Sequence, residues 1–392
     1  MKMSASNYPP SSRPLPGIGI RGNGPDAARH GHHRFMELLD GLQLADCVQA
    51  APGGDGSQHR YCLRPDSFAG LTPDHDTTGL CATLGLDTQD SPRDLEKEIL
   101  TAMLASPVPF DYPSFDEFES ALRVRGNIVQ AARRTALAFD TEHAERPEAF
   151  WRYAESSGFT LKEGANLIEA LRLTTQPDRS KRLYSFSCYR ATEYVILLAV
   201  AQELQASNPP LFEQLQRQWE TRAIMSGQFH EVFLREYGSM DAPLPPMYYV
   251  PGDRLWFRNP DGHSSNAEGY EGSWVFYLGN GLFTNFWKRD QPFTVTTKCV
   301  ELFHWRNATY RDDQGKLQVD DDVVDALVAK SLSDPGEVAS IRDRMLRLRD
   351  PGGVYGDGGC IDTSRECVRL LRPGTSELVF PEGGGAALAR AS

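Results

Sequence analysis

The sequence predicts an α+β chain with one core, and three observations carry that reading. Helical spacing of apolar residues dominates residues 93–233. Strand-like alternation begins at Gly252, in GDRLWFRN. Between them, residues 183–204, LYSFSCYRATEYVILLAVAQEL, hold an apolar run at 195–201. That run is too continuous for a surface helix and too short to span a membrane, so it reads as a helix buried on most sides. A helical block followed by an antiparallel sheet is the α+β pattern.

Residues 1–34 are rich in Pro, Gly, Ser and Asn and read as a disordered tail, with His30, His32 and His33 at its end. The close histidines have no neighbouring carboxylate or Cys to complete a metal site. Residues 35–92 read as a loop-rich extension: a short helix over 35–48, then repeated turn signals such as PGGDG. An amphipathic helix follows over 94–104, then an extended segment at 106–114, where each Pro disfavours helix at the residue before it. Ser114 with Glu117 forms a capping-box pattern and opens the next helix. Residues 150–173 and 211–233 read as further helices.

Strands are expected over 252–259, 273–278, 282–287 and 294–305, with Gly279-Asn280-Gly281 as a hairpin turn. A helix beginning in the Asp320-Asp321-Asp322 run closes the ordered part, since acidic residues suit a helix N-terminus. That run lacks the spacing of an EF-hand. GGVYGDGGC at 352–360 is a loop without the Lys of a P-loop. The expected division is thus 1–34, 35–92, a main domain over 93–310, an extension over 311–380 and a tail over 381–392.

The net charge is −12, which argues against a nucleic-acid or anionic-membrane partner, since both need a basic footprint. The amino terminus lacks the apolar core of a secretory signal, and no 18-residue apolar stretch exists. The 7 cysteines are scattered, and no CxxC or HExxH pattern points to zinc. A reduced, cytoplasmic setting without cofactor is the expectation.

Cys188 sits where the aromatic lead meets the apolar run. Ser187 or Thr192 is a suitable N-cap, and either places Cys188 at or near a helix N-terminus. Unpaired N–H groups and the helix dipole there favour a thiolate, the nucleophile of acyl transfer. The plain alternative is a packed core thiol, because free Cys is among the most buried residue types.

Three segments together carry a resemblance: SPVPFDYPSFDEFESALRVRGNIVQAAR at 106–133, FWRYAESSGFTLKEGANLIEALR through LYSFSCYRATEYVILLAV at 150–200, and GDRLWFRNPD through GSWVFYLGN at 252–280. In order and spacing they resemble the bacterial spore-coat type of protein-glutamine gamma-glutamyltransferase, over roughly residues 95 to 305. IDTSRECVRLLRP at 361–373 is similar to the family's end. The resemblance implies a papain-like, cysteine-amidase core, with the nucleophile helix packed on an antiparallel sheet. It implies Cys188 as nucleophile, a protein Gln as acyl donor and a Lys amine as acceptor.

The chain departs from the family around that nucleophile. Ser187 and Ser273 stand where the family carries Glu, and its His falls at Asn285 or Phe286. Neither Ser nor Asn serves as a general base near neutral pH, and proton transfer is worth about 10²–10⁴ in rate. Glu271, with Glu268 and His263 on the same loop, and His304 are the candidate replacements; His230 reads as structural. The expected site is therefore Cys188, Glu271, Asn285 and Ser273. Three functions follow: protein crosslinking, transfer to water or a small amine, and a binding module that has lost catalysis. Trp256, Tyr270, Trp274, Phe276, Phe283 and Trp287 would line a groove in the last case or simply form core.

Overall fold

A computed structural model describes residues 17–54, 56–138, 144–350 and 358–381. Residues 1–16 and 382–392, which hold most of the two expected tails, lie outside the described residues, as do 351–357 of the glycine-rich loop. Among the described residues no helix is long and apolar enough to cross a membrane.

The amino-terminal region is ordered where turn signals predicted loops. Strand β1 (Gly17–Arg21) is followed by helix α1 (Pro25–Gly41), then by the hairpin β2 (Val48–Pro52) and β3 (Gln58–Leu63). Short helices α2 (Pro65–Leu71) and α3 (Leu80–Leu84) lead to α4 (Pro92–Leu104) and β4 (Pro109–Tyr112). These strands form one sheet in the order β2-β3-β1-β4, with β1 antiparallel to β3 and parallel to β4. Residues 17–34 are thus not tail. Ile18 and Ile20 alternate into the core, and partners distant in sequence supply the ladder that local turn residues conceal.

Helix α5 (Phe115–Arg134) starts as expected, with Ser114 Oγ accepting from the Glu117 N–H at 3.2 Å. Glu117 does not complete the capping box. Its buried carboxylate accepts instead from the N–H of Arg372 at 2.8 Å and the hydroxyl of Thr375, clamping the carboxy-terminal segment. The helix expected over 150–173 is a hairpin, β5 (Trp151–Ala154) and β6 (Gly158–Leu161), followed by α6 (Leu167–Thr175). Gly158, at φ 70, turns the chain where the aromatic spacing suggested continuation.

A four-residue turn of helix, α7 (Pro177–Ser180), precedes α8 (Cys188–Ser207). α8 is buried from Ala191 to Ala201 and again at Leu204, as the apolar run required. Helices α9 (Pro209–Thr221) and α10 (Gly227–Phe233) replace the single helix expected over 211–233, and Ser226, at φ 59, breaks them apart.

The second sheet has the order β10-β9-β8-β13-β7. It comprises β7 (Leu234–Tyr237), β8 (Arg254–Arg258), β9 (Gly272–Gly279) and β10 (Leu282–Phe283), completed by a strand from near the carboxy terminus. Asn280 and Gly281, both at positive φ, make the predicted hairpin turn between β9 and β10. The expected fourth strand over 294–305 is helix α11 (Val295–Trp305). Its β-branched start reads as strand, but Thr294 and Thr297 form a reciprocal capping box, and Val295, Cys299, Val300 and Leu302 are buried. The extension folds as a hairpin, β11 (Thr309–Arg311) and β12 (Leu317–Val319), then α12 (Asp321–Leu332) and α13 (Pro335–Met345), packed on α11. Asp320 caps α12 through the N–H groups of Asp322 and Val323, so the acidic run is a helix start. β13 (Arg365–Val368) then pairs antiparallel with β7 and β8.

Helix α8 packs on α5, α6 and β9, which places one apolar core between the helical block and this sheet. A second core lies on the other face, between the sheet, α11, α12 and α13. The α+β arrangement of a buried helix on an antiparallel sheet is the expected one.

Arg125 of α5 ties the helical block to the sheet. Its Nη1 donates to Asp253 Oδ1 at 2.8 Å, and Asp253 also accepts from the Val250 N–H at 2.7 Å and from the Tyr237 hydroxyl. Both charges are buried. Replacing Arg125 by Met leaves Asp253 an uncompensated buried charge, and the expected loss is about 3–5 kcal/mol in urea denaturation.

Candidate active site

The site begins with why Cys188 is the first residue of α8. Ser187 is extended (φ −67, ψ 159) and its Oγ accepts from the Arg190 N–H at 3.3 Å, so the helix starts immediately after it. The buried body of α8 fixes the axis and presses its first turn against β9. The backbone N–H groups of Trp274 and Tyr189 there favour the thiolate. Burial nonetheless pushes the Cys188 thiol above its ordinary value, and it outweighs the pull of Trp274 N–H, the Lys298 charge, Tyr189 N–H and the Arg254 charge. The helix end favours the thiolate as expected, but desolvation wins.

A charged chain lies beside this turn. Arg254 of β8 is fully buried, with its guanidinium 4.0 Å over the Trp274 ring and 4.8 Å over the Tyr189 ring. Its Nε donates to Thr192 Oγ1 at 2.8 Å and its Nη1 to Glu366 Oε2 at 2.5 Å. The other Glu366 oxygen meets His230 Nδ1 at 2.9 Å. That hydrogen bond raises the His230 pKa against burial. Burial pushes the Glu366 carboxyl up, but His230 and Arg254 together hold it below the usual range. His230 therefore supports Glu366, in keeping with a structural role. Deeper on α8, buried Glu193 accepts from the Ser226 N–H at 2.6 Å and pairs with Arg190.

Side chains alternate across β9, so Trp274 faces α8 and Ser273 faces the opposite layer. Ser273 and Asn285 are both buried, and both line a cavity of about 360 Å³. Tyr270, Trp287, Phe293 and Trp305 wall it on one side, and Val324, Asp325 and Val328 of α12 on another. Cys188 is not among its lining residues. Asn285 spends its amide on the loop after β10, donating to Gln291 O at 3.1 Å and accepting from the Lys288 N–H at 3.1 Å. Phe286 is core.

The structure thus brings Ser273 and Asn285 together but leaves Glu271 exposed on the flank of β9. The other candidate bases fare no better. His263 is exposed, and exposed Glu268 is bridged by Lys316 Nζ at 2.7 Å. His304 lies in α11, not on a strand, with Nε2 2.7 Å from Ser331 Oγ in the core. Of the aromatic set, Tyr270 and Trp287 line the cavity, Trp256 stacks on Trp274 at 6.1 Å, and Phe276 and Phe283 are core. Among the described residues no group of three His, Cys, Asp or Glu side chains is placed to hold a metal.

Sequence reasoning missed Arg254, Glu366 and Lys298. Arg254 and Glu366 stand 112 residues apart, beyond any local pattern. Lys298 is buried, with Nζ 3.0 Å from Glu301 Oε2 and 4.0 Å over the Phe293 ring. Reading Thr294 and Thr297 as a capping box would have put it on a helix facing the core.

Residues 80–366 match the family of protein-glutamine gamma-glutamyltransferases. The chain is 25% identical over 195 residues to the protein-glutamine gamma-glutamyltransferase of Halalkalibacterium halodurans, covering 48% of this chain and 62% of that one. It is 28% identical over 204 residues to the enzyme of that name from Bacillus licheniformis, covering 49% and 76%. A solved transglutaminase from Geobacillus stearothermophilus, without its C-terminal extension, is 20% identical, with a TM-score of 0.38 over 55% of this chain and 98% of that one. The family match spans most of the chain and the thiol, the buried helix and the sheet described above, and the chain belongs to the bacterial protein-glutamine gamma-glutamyltransferase, or transglutaminase, family.

Proposed function

We propose that the chain transfers a γ-glutamyl group between proteins, with Cys188 as nucleophile. The observation that carries this reading is the placement of Cys188. It is the first residue of a buried helix that packs against β9, in a chain of this family. The thiolate attacks the side-chain amide carbon of a protein Gln. The backbone N–H groups of Trp274 and Tyr189 and the helix N-terminus supply fixed positive potential where negative charge gathers. Ammonia leaves and a thioester forms. A Lys amine then attacks the thioester and releases the thiolate, leaving an isopeptide bond. With no ionisable side chain at 273 or 285, solvent moves the protons and turnover is slow.

A second reading is a binding module on the same fold. It is favoured by the raised Cys188 thiol and by the absence of a titratable group at 273 and 285. A third outcome, transfer to water, needs the same nucleophile and yields Glu in place of Gln.

Cys188→Ala is expected to abolish incorporation of a fluorescent alkylamine into a Gln-bearing protein while leaving the melting midpoint within about 2 °C, because only one small side chain changes. Incorporation by the variant equal to the parent's would exclude Cys188 as nucleophile. Mass spectrometry of the same Gln substrate separates crosslinking from hydrolysis, which adds about one mass unit.

Since burial disfavours the thiolate, alkylation of Cys188 by iodoacetamide is expected to be slow at pH 7. It should still be climbing above pH 9, past the range of an ordinary thiol near about 8.5. A plateau below pH 7.5 would show an activated thiolate instead.

A further inference from the structure

Cys299 of α11 and Cys360, just before β13, lie with their Sγ atoms 3.6 Å apart. Both are fully buried in the second core. They flank β11, β12, α12 and α13 in the chain, 61 positions apart. The backbone around Cys360 is fixed on both sides. Its N–H donates to Met345 O at 2.9 Å and its carbonyl accepts from the Arg258 N–H of β8 at 2.9 Å. Neighbouring Ile361 bridges to Phe257 and to Leu348. Cys299 is held by the capped helix α11. The two sulfurs are therefore presented to each other by rigid backbone, and a disulfide needs them only about 1.5 Å closer, within reach of side-chain rotation.

We propose that Cys299 and Cys360 form a disulfide when the chain folds in an oxidising medium, and that this bond locks the extension onto α11. The oxidant is a low-molecular-weight disulfide such as oxidised glutathione. One protein thiolate attacks it, expels one small thiol and forms a mixed disulfide. The second protein thiolate attacks the protein sulfur of that intermediate and expels the second small thiol. The two thiol protons end on the two small thiols, and one disulfide replaces another. The loop so closed contains β11, β12, α12 and α13 whole. It therefore includes the α12 wall of the cavity that Ser273 and Asn285 face. In the folded, reduced protein the hydrogen bond shared with Cys299, then burial, keeps Cys360 protonated. The bond thus forms during folding or local opening, and once formed it is shielded from reductants. None of this rests on Cys188.

The test uses the full chain, unfolded in denaturant and refolded in a reduced/oxidised glutathione buffer or in excess dithiothreitol. Trypsin digestion without reduction is followed by mass spectrometry. The expected product is a crosslink between peptides 299–306 and 350–365, with an oxidised melting midpoint about 5 °C above the reduced one. In Cys299→Ala, and separately in Cys360→Ala, the crosslink and the redox dependence of the midpoint are both expected to vanish. Recovery of both cysteines as free thiols or as separate glutathione adducts after oxidative refolding overturns the proposal. A crosslink that leaves the midpoint unchanged overturns the lock.

Discussion

The burial of α8 on all sides is the constraint on which the rest of the structure depends. A helix with no solvent face has only its ends for chemistry, and the sequence puts a serine cap and a thiol at the first of them. Everything polar that touches the body of α8 must then be paired, since unpaired polar groups in a core cost about 1–3 kcal/mol each. Glu193 meets the Ser226 N–H and Arg190, Glu203 meets Arg123, and Thr192 meets Arg254. The kink at Ser226, the register of β8 and the position of β13 are set by these pairings as much as by apolar packing.

The same burial explains the tension at Cys188. Backbone N–H groups, a helix end and the charges of Lys298 and Arg254 favour the Cys188 thiolate, yet burial holds the proton on it. Ser273 and Asn285 line a cavity that α12 of the extension walls on one side. An unpaired carboxylate at either position would be costly to bury.

Much of the fold was legible from local pattern. The buried body of α8, the strands β8 and β9 and the turn at Asn280-Gly281 all followed from spacing and turn chemistry, and Ser187 was one of two caps that pattern allowed. Three regions were not legible, each for a physical reason. The β-branched TVTTK stretch has strand propensity, but a capping box and a buried face make it helical. The 151–161 hairpin hides aromatic residues at helix-like intervals, and Gly158 alone marks its turn. The amino-terminal sheet depends on a parallel pairing of β1 with β4, and the segments between carry the turn signals. At the site, Cys188 was readable because helix ends have sequence signatures, whereas Arg254 and Glu366 meet only through tertiary pairing across 112 residues.

The strand order β10-β9-β8-β13-β7 has a consequence for synthesis. β7 and β8 are made early and next to each other, but they do not pair; β13, made more than a hundred residues later, lies between them. Until residue 368 has left the ribosome, Arg254 has no Glu366, and two strand edges stand open beside a helix that is already complete. The nascent chain therefore carries α8 well before it has a closed sheet to hold it against. The extension between β10 and β13 prolongs that interval, so its own folding sets how long those edges wait.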